Sequence, residues 1–311
     1  MFTPLLTILP VFALILAGVL ARRSGVLGPH ATRELNRFVV WLALPCLLFD
    51  IVAHARWAAL WQPGFIAAFA GGSFAVFALI VVVRLRGRPL ADAAIDGLNA
   101  GYANTGFIGF PLAAAVFGPT ALTPTLIAAI LTVCVLFGVA IVLVEVGLQT
   151  EGHPAHIVGK VLLSLCKNPL LVAPVAGALV PLSGVTLPVP AESFLKLLGG
   201  AASPCALVAL GLFLAEKREG AAIAPAGQTA LLVVAKLILQ PLVTWLLATF
   251  VCHLPAATTA VCVVLSALPT GTGPFMVAEF YRREAAMTSR VILVSTLLAL
   301  LTLPALIAIL G

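Results

Sequence analysis

Charge is scarce in this 311-residue chain: Lys, Arg, Asp and Glu make up 9% of it, whereas hydrophobic residues make up 62%. In a typical soluble domain about a quarter of the residues are charged. So few charges cannot cover a surface that faces water, and a lipid bilayer must therefore surround most of the chain. The composition predicts an integral membrane protein.

The sequence also lacks the patterns that enzymes and metal proteins carry. It has no HExxH, no GxSxG and no close acidic pair suited to metal or acid–base chemistry. Its six cysteines form no CxxC pair, and nearly all lie in apolar stretches, as small core residues do. The five histidines lie in or near loops; His153 and His156 have a weak metal spacing, but solvated loop positions account for them. We expect no enzyme activity, no cofactor and no metal site.

Apolar runs long enough to cross a bilayer recur along the whole chain. The first is predicted to be a membrane helix and not a cleaved signal, because its positive charges, Arg22 and Arg23, follow it. The sequence predicts an all-α membrane protein of about ten transmembrane helices. The runs lie near residues 4–21, 35–54, 63–83, 92–117, 121–145, 160–181, 190–215, 226–250, 256–281 and 286–309.

Positive charges mark one set of helix ends, and the other set carries little beyond Arg56 and Lys196. Since Lys and Arg gather in cytoplasmic loops, the first set is predicted to be cytoplasmic. Both termini then lie outside an inner membrane, and the net charge of +6 reflects topology and not nucleic-acid binding. The basic set is Arg22, Arg23, Arg33, Arg37, Arg84, Arg86, Arg88, Lys160, Lys167, Lys217, Arg218, Arg282, Arg283 and Arg290.

Two halves of the chain, residues 1–150 and 151–311, resemble each other. Leu44-Pro45-Cys46-Leu47-Leu48 in the second run matches Ser203-Pro204-Cys205-Ala206-Leu207 in the seventh, and the fourth and ninth runs share a Gly- and Pro-rich interruption. Because each half has five helices, an odd number, the second half is predicted to be inverted relative to the first. Inverted repeats with interrupted helices at matching positions are typical of secondary transporters.

The two interruptions predict a binding site. Proline and glycine destabilise a helix interior, so both helices should unwind near the midplane, where exposed backbone requires a protein-lined cavity. New helix N-termini are expected near Pro111 and Pro274, and two such ends favour an anion. Two ordinary proline kinks are the alternative. The predicted substrate-binding residues are Asn104, Thr105, Gly106, Pro111, Pro269, Thr270, Gly271, Thr272, Gly273 and Pro274.

Lys236 is added to this site because a charge inside a membrane helix is by default a functional candidate. It could attract a carboxylate or stand in for a coupling cation; alternatively, it could be a structural partner of Asp96 or Glu279, or extend to the interface. Asp96 and Glu279 lie towards the basic ends, where salt-bridge or entrance roles are expected. Asp50 is expected at the interface.

At these residues the sequence resembles the auxin efflux carrier family of membrane transporters. Asn104 to Leu112 (NTGFIGFPL) is similar to the family's fourth-helix motif, and Ala267 to Thr272 (ALPTGT), followed by Ala278-Glu279, is similar to its ninth-helix motif. Asn168-Pro169 and Ser295 to Leu298 (STLL) also fit. The resemblance covers essentially the whole chain.

The resemblance implies a ten-helix, two-repeat fold with crossing broken helices 4 and 9, divided into a scaffold and a transport (crossover) subdomain, as in an elevator mechanism. It also implies transport of small carboxylates, such as auxin, malonate or malate, and a homodimer. Many members carry Asn where this chain has Gly273, and the long cytoplasmic loop of many plant members is absent here.

The function predicted is therefore a permease that moves a small organic anion, a mono- or dicarboxylate, by alternating access, with H⁺ or Na⁺ as coupling ion left open. A cation/proton antiporter of the same fold would require carboxylates at the crossing, and the interruptions contain none. A membrane receptor or channel is the remaining alternative. Accumulation of substrate in vesicles would distinguish a carrier from a receptor or channel.

The charge asymmetry makes a testable prediction about topology. In a variant without native cysteines, single cysteines placed after Arg23, Arg86 or Arg283 should be protected from an impermeant thiol reagent in intact cells, because Lys and Arg stay cytoplasmic. A cysteine appended after Gly311 should react. Labelling of the Arg86 position from outside would show that the orientation is reversed.

Overall fold

The computed structural model describes residues 2–54, 57–149, 163, 166–215 and 226–310. In these residues the regular secondary structure is helical, and the only β pairing is one isolated β-bridge. Six of the helices are long and apolar enough to cross a membrane, which confirms the all-α prediction. The predictions for Arg56, His153, His156, Lys160, Lys217 and Arg218 lie outside the described residues.

The helices follow the predicted apolar runs. The six long ones are α2 (Ala31–Ala53), α3 (Pro63–Leu85), α5 (Pro119–Leu148), α7 (Val189–Leu214), α8 (Ala226–Val251) and α10 (Ala285–Leu310). The other helices of eight or more residues are α1 (Phe2–Arg23), α4a (Leu90–Gly101), α4b (Thr105–Phe117), α6 (Pro169–Ser183), α9a (Ala256–Ser266) and α9b (Gly273–Phe280). The fourth and ninth helices are thus interrupted where glycine and proline predicted it.

The helices fall into two packing groups. In the first group, α1 packs against α7, and α2 packs against both α6 and α7. The second group contains α3, α4a, α4b, α5, α8, α9a, α9b and α10, which pack successively against one another. Contact between the groups is less extensive and includes α1 with α4b and α10, and α2 with α9b.

Glycines bring helices of the first group close together. A Cβ atom at Gly211 of α7 would lie 2.0 Å from the carbonyl oxygen of Ile15, and one at Gly18 of α1 would lie 2.2 Å from that of Val208. Such close approach is typical of membrane helices, which associate through small residues and van der Waals packing. The fit of α1 against α7 therefore depends on the missing side chains.

Ion pairs join two loops at the basic end of the second group. Arg88, in the loop before α4a, contacts Asp96 at 3.0 Å and Glu284, in the loop before α10, at 2.6 Å. Arg283 pairs with Asp92 in the first turn of α4a. The predicted salt-bridge role of Asp96 is confirmed, and the pairs hold the start of α4a against the end of α9b.

The α1–α7 packing makes a prediction about stability. Gly211→Ala should destabilise the protein by about 1–3 kcal/mol, because overpacking a tight contact forces the backbone to move. The measurement is the thermal unfolding midpoint of the purified protein in detergent. Gly227→Ala on α8 is the matched control, since no atom lies within 4 Å of a Cβ there. Equal midpoints for the two variants would contradict the proposed packing role.

Candidate functional site

The two interruptions meet and satisfy each other's backbone. Ala103 and Thr270 form an antiparallel β-bridge. The Asn104 N–H donates to the Pro269 carbonyl at 2.9 Å, and the Gly271 N–H donates to the Tyr102 carbonyl at 3.1 Å. Because unwound backbone away from water is costly when unpaired, this exchange is what allows both helices to open at the same place.

Helix α8 caps the C-terminal ends of both first half-helices. The Lys236 ammonium donates to the carbonyl of Ser266, the last residue of α9a, at 2.8 Å. One turn later, the Gln240 amide donates to the carbonyl of Gly101, the last residue of α4a, at 3.1 Å. Both side chains are fully buried. They satisfy carbonyls that a helix end leaves unpaired.

Thr270 completes the crossing. Its hydroxyl donates to the Asn99 carbonyl at 2.8 Å, and its N–H donates to the Ser295 hydroxyl at 3.2 Å. The Asn99 amide in turn donates to the Thr288 hydroxyl at 3.0 Å. These bonds tie the crossing to α4a and α10, so Thr270 is occupied by structural contacts.

A cavity of about 320 Å³ lies beside the crossing, between the two packing groups. Its walls come from α2 and α7 of the first group and from the starts of α4b and α9b of the second. Its polar side chains are Tyr102, Asn104, Ser203 and Thr272, and the remaining described lining residues are glycines and apolar residues.

The cavity is electrically neutral in its side chains: none of the described residues that line it is charged. The starts of α4b and α9b each carry a partial positive charge, because the first N–H groups of a helix have no acceptor within that helix. Asn104 and Thr272 precede these two helices, and neither side chain makes a capping hydrogen bond. Their polar groups are therefore free to meet a bound molecule.

The predicted residues divide into two sets. Four line the cavity: Asn104, Gly106, Thr272 and Gly273. The other seven do not appear in its wall. Of these, Thr105, Pro269, Thr270 and Gly271 are buried in the crossing, Pro274 is buried in the first turn of α9b, and Lys236 is buried against Ser266; Pro111 is exposed on α4b.

The expected start of the first of the two half-helices is corrected. The second helix start lies at Gly273, as predicted, but the first lies at Thr105 and not near Pro111, because a π-helical turn over Thr105–Gly109 continues the helix backwards. Thr272 lies at the start of α9b, and its hydroxyl makes no capping bond there. Lys236 donates to the Ser266 carbonyl.

Sequence reasoning missed several lining residues, above all Tyr102 and Ser203. Ser203 belongs to the Ser203 to Leu207 stretch that matches Leu44 to Leu48 in the other half, which was a signal that could have placed it. Tyr102 lies two residues before Asn104, and its position inside the interruption was the corresponding signal. An aromatic residue in an apolar run is usually a core residue, which is why it gave no warning.

The chain is similar to known membrane transport proteins over almost its whole length. The family model described as "Membrane transport protein" matches residues 4–307. The chain is 30% identical over 302 residues to the "Putative malonate transporter" of Rhizobium meliloti (strain 1021), covering 96% of this chain and 93% of the relative. It is 26% identical over 314 residues to the "Uncharacterized transporter YfdV" of Escherichia coli (strain K12), covering 96% and 94%.

The bond from Gln240 of α8 to the Gly101 carbonyl makes a prediction about stability. Gln240→Leu should destabilise the protein by about 1–3 kcal/mol, because the Gly101 carbonyl loses its donor away from water. Thr302→Val is the control, since the Thr302 hydroxyl is buried without a partner and its removal should be neutral or stabilising. Thermal unfolding of both variants is the measurement. If Gln240→Leu were as stable as wild type, α8 would not be required to cap α4a.

Proposed function

We propose that this chain, which belongs to the membrane transport protein family, carries a small organic anion, a mono- or dicarboxylate, across the membrane by alternating access. The observation that carries the proposal is the cavity at the crossing, where neutral donors and two helix N-termini face the same space. The relative named as a putative malonate transporter supports a carboxylate.

The balance of charge suggests which form of the anion is carried. A helix N-terminus is equivalent to roughly half a positive charge, so two of them offer about one. No described lining side chain adds to it. We therefore infer that the site accepts one net negative charge, as on a monocarboxylate or on a dicarboxylate that keeps one proton. A dicarboxylate would then bring a proton with it.

The two packing groups supply the moving parts. The first group acts as the scaffold and the second as the transport subdomain, and the cavity lies between them. In this arrangement α3 ends at the basic end where α8 begins, since Arg84 of α3 donates to Gln228 of α8 at 2.9 Å. That opposite direction of corresponding helices supports the inverted repeat of residues 1–150 and 151–311, with ten spans.

A polar chain connects the two groups and must change when they move. The Asn168 amide, at the start of α6, donates to the Tyr281 hydroxyl at 3.3 Å, and Tyr281 donates to Glu145 of α5 at 2.5 Å. The Asn168 side chain also caps α6 by accepting from the Leu170 N–H. Sliding of the second group past α6 would break the Asn168–Tyr281 bond and leave the cap and the Tyr281–Glu145 bond in place.

Lys236 fits the predicted role of standing in for a coupling cation better than the predicted role of attracting the substrate's carboxylate. Its ammonium lies on the C-terminal end of α9a and does not line the cavity, so it does not contact the substrate in this state. When protonated, Lys236 supplies there the positive charge that a bound coupling cation would otherwise bring. This leaves a proton carried by the substrate as the coupling ion we favour over Na⁺.

The function is tested by transport in proteoliposomes. We expect saturable uptake of a small radiolabelled carboxylate, such as malonate, that other carboxylates inhibit and amines do not. Asn104→Ala and Thr272→Val should each weaken binding by about tenfold, the effect of losing one hydrogen bond of about 1.4 kcal/mol. Both variants should fold normally, since neither side chain makes a capping bond.

Thr302→Val is the matched control, because it also removes a hydroxyl but lies outside the cavity wall. Inhibition by organic cations alone would refute an anionic substrate. If both the Asn104 and the Thr272 variants bound a carboxylate with wild-type affinity, the proposed substrate would stand, but its binding site would not lie at the crossing.

A further inference from the structure

Tyr102 is a buried aromatic residue inside the first interruption. Its side chain is 6% exposed, and its ring packs edge-on against Phe137 of α5 with ring centroids 5.8 Å apart. Its carbonyl accepts the Gly271 N–H, so the residue is held at the crossing by backbone as well as by its ring. The position of the ring is therefore fixed from two sides.

The ring lies against the second interruption at Gly271 and Gly273, two positions that have no side chain. A Cβ atom at Gly273 would lie 2.6 Å from Tyr102 Cζ and 2.7 Å from its hydroxyl oxygen. A Cβ atom at Gly271 would lie 2.7 Å from Tyr102 Cε1. Real Cβ atoms do not come this close, so both positions must be glycine while Tyr102 keeps this place.

The hydroxyl at the end of this ring makes no hydrogen bond to the described residues, and it is not among the buried polar atoms that lack a partner. A hydroxyl without a protein partner that is not sealed off in this way must reach open space. Tyr102 lines the cavity together with Asn104, Thr272 and Gly273. The unmet hydroxyl thus faces the space into which the starts of α4b and α9b also point.

We propose that the Tyr102 hydroxyl is a substrate-binding group that donates a hydrogen bond to the carboxylate, and that Gly273 is glycine because the Tyr102 ring fills the space of its side chain. The proposal rests on the proposed function and deepens it. Tyr102 then determines specificity, because a rigid ring sets both the depth of the cavity and the position of its donor.

The proposal also accounts for the departure of this chain from the family pattern. An asparagine at position 273 would present an amide from α9b, whereas here a phenol from the other interruption reaches the same place. A phenol, like an amide, can both donate and accept a hydrogen bond. The phenol therefore keeps a donor for a carboxylate at this place, and the packed ring fixes the direction of that donor.

The first test is Tyr102→Phe, which keeps the ring and removes only the hydroxyl. The Kd for a carboxylate that the wild type binds, measured by calorimetry on the purified protein, should rise by about tenfold to a hundredfold, as for a hydrogen bond to a charged group. The thermal unfolding midpoint without ligand should not change, because the hydroxyl has no protein partner. A lower midpoint with an unchanged Kd would overturn the proposal in favour of a structural role.

The second test exchanges the two side chains. Gly273→Asn alone should weaken binding, because the new side chain displaces the ring. Tyr102→Ala with Gly273→Asn should bind more tightly than Tyr102→Ala alone, because the amide restores a polar group at the same place. Wild-type affinity in Gly273→Asn alone, or no recovery in the double variant, would show that the two positions do not share one space.

These outcomes are separate from those that test the proposed function. If the wild type binds and transports carboxylates and Tyr102→Phe does so equally well, the function stands and Tyr102 is not a contact. If the wild type binds none of the carboxylates offered, the proposed function fails, and the assignment of Tyr102 fails with it.

Discussion

Backbone groups that leave a helix inside a bilayer have no water to bond, and the crossing of the fourth and ninth helices is arranged around that constraint. The interruptions pair with each other through Asn104, Pro269, Tyr102 and Gly271. The C-terminal ends of α4a and α9a, which carry unpaired carbonyls, are closed by side chains of α8. The N-terminal ends of α4b and α9b border the cavity. The polarity of the site thus follows from which helix ends the protein closes and which it leaves free.

The same arrangement of closed and open helix ends keeps Lys236 outside the cavity. The Lys236 side chain lies at the closed end of a half-helix, whereas the described cavity wall contains only neutral side chains. The carboxylate proposed as substrate, held by neutral donors and partial backbone charges, would be able to leave again on every cycle. A full ion pair in the cavity would bind more strongly and release more slowly. The placement of Lys236 therefore suits transport better than direct contact would.

Sequence patterns predicted the parts of the structure that depend on local chemistry. Apolar runs gave the helices, glycine and proline gave both interruptions, and Asp96 lies in ion pairs near the basic end, as expected. The patterns did not reveal partners brought together by the fold. Lys236 bonds a carbonyl 30 residues away, and Tyr102 fills the space left by glycines almost 170 residues away. Pro111 was misplaced because a π-helical turn, which the sequence does not signal, extends α4b back to Thr105.

The bond between Lys236 and Ser266 also bears on how the protein is made. Helix α8 is synthesised before α9a, so at first its ammonium has no acceptor, and a lysine at the centre of a lone helix opposes membrane insertion by about 3 kcal/mol. Apolar neighbours in α8 must outweigh that cost, or α9a must arrive before α8 leaves the translocon. The loop between them runs only from Cys252 to Pro255, which favours joint entry as a helical hairpin. Biogenesis of the second half is thereby coupled to the same contact that closes the end of α9a.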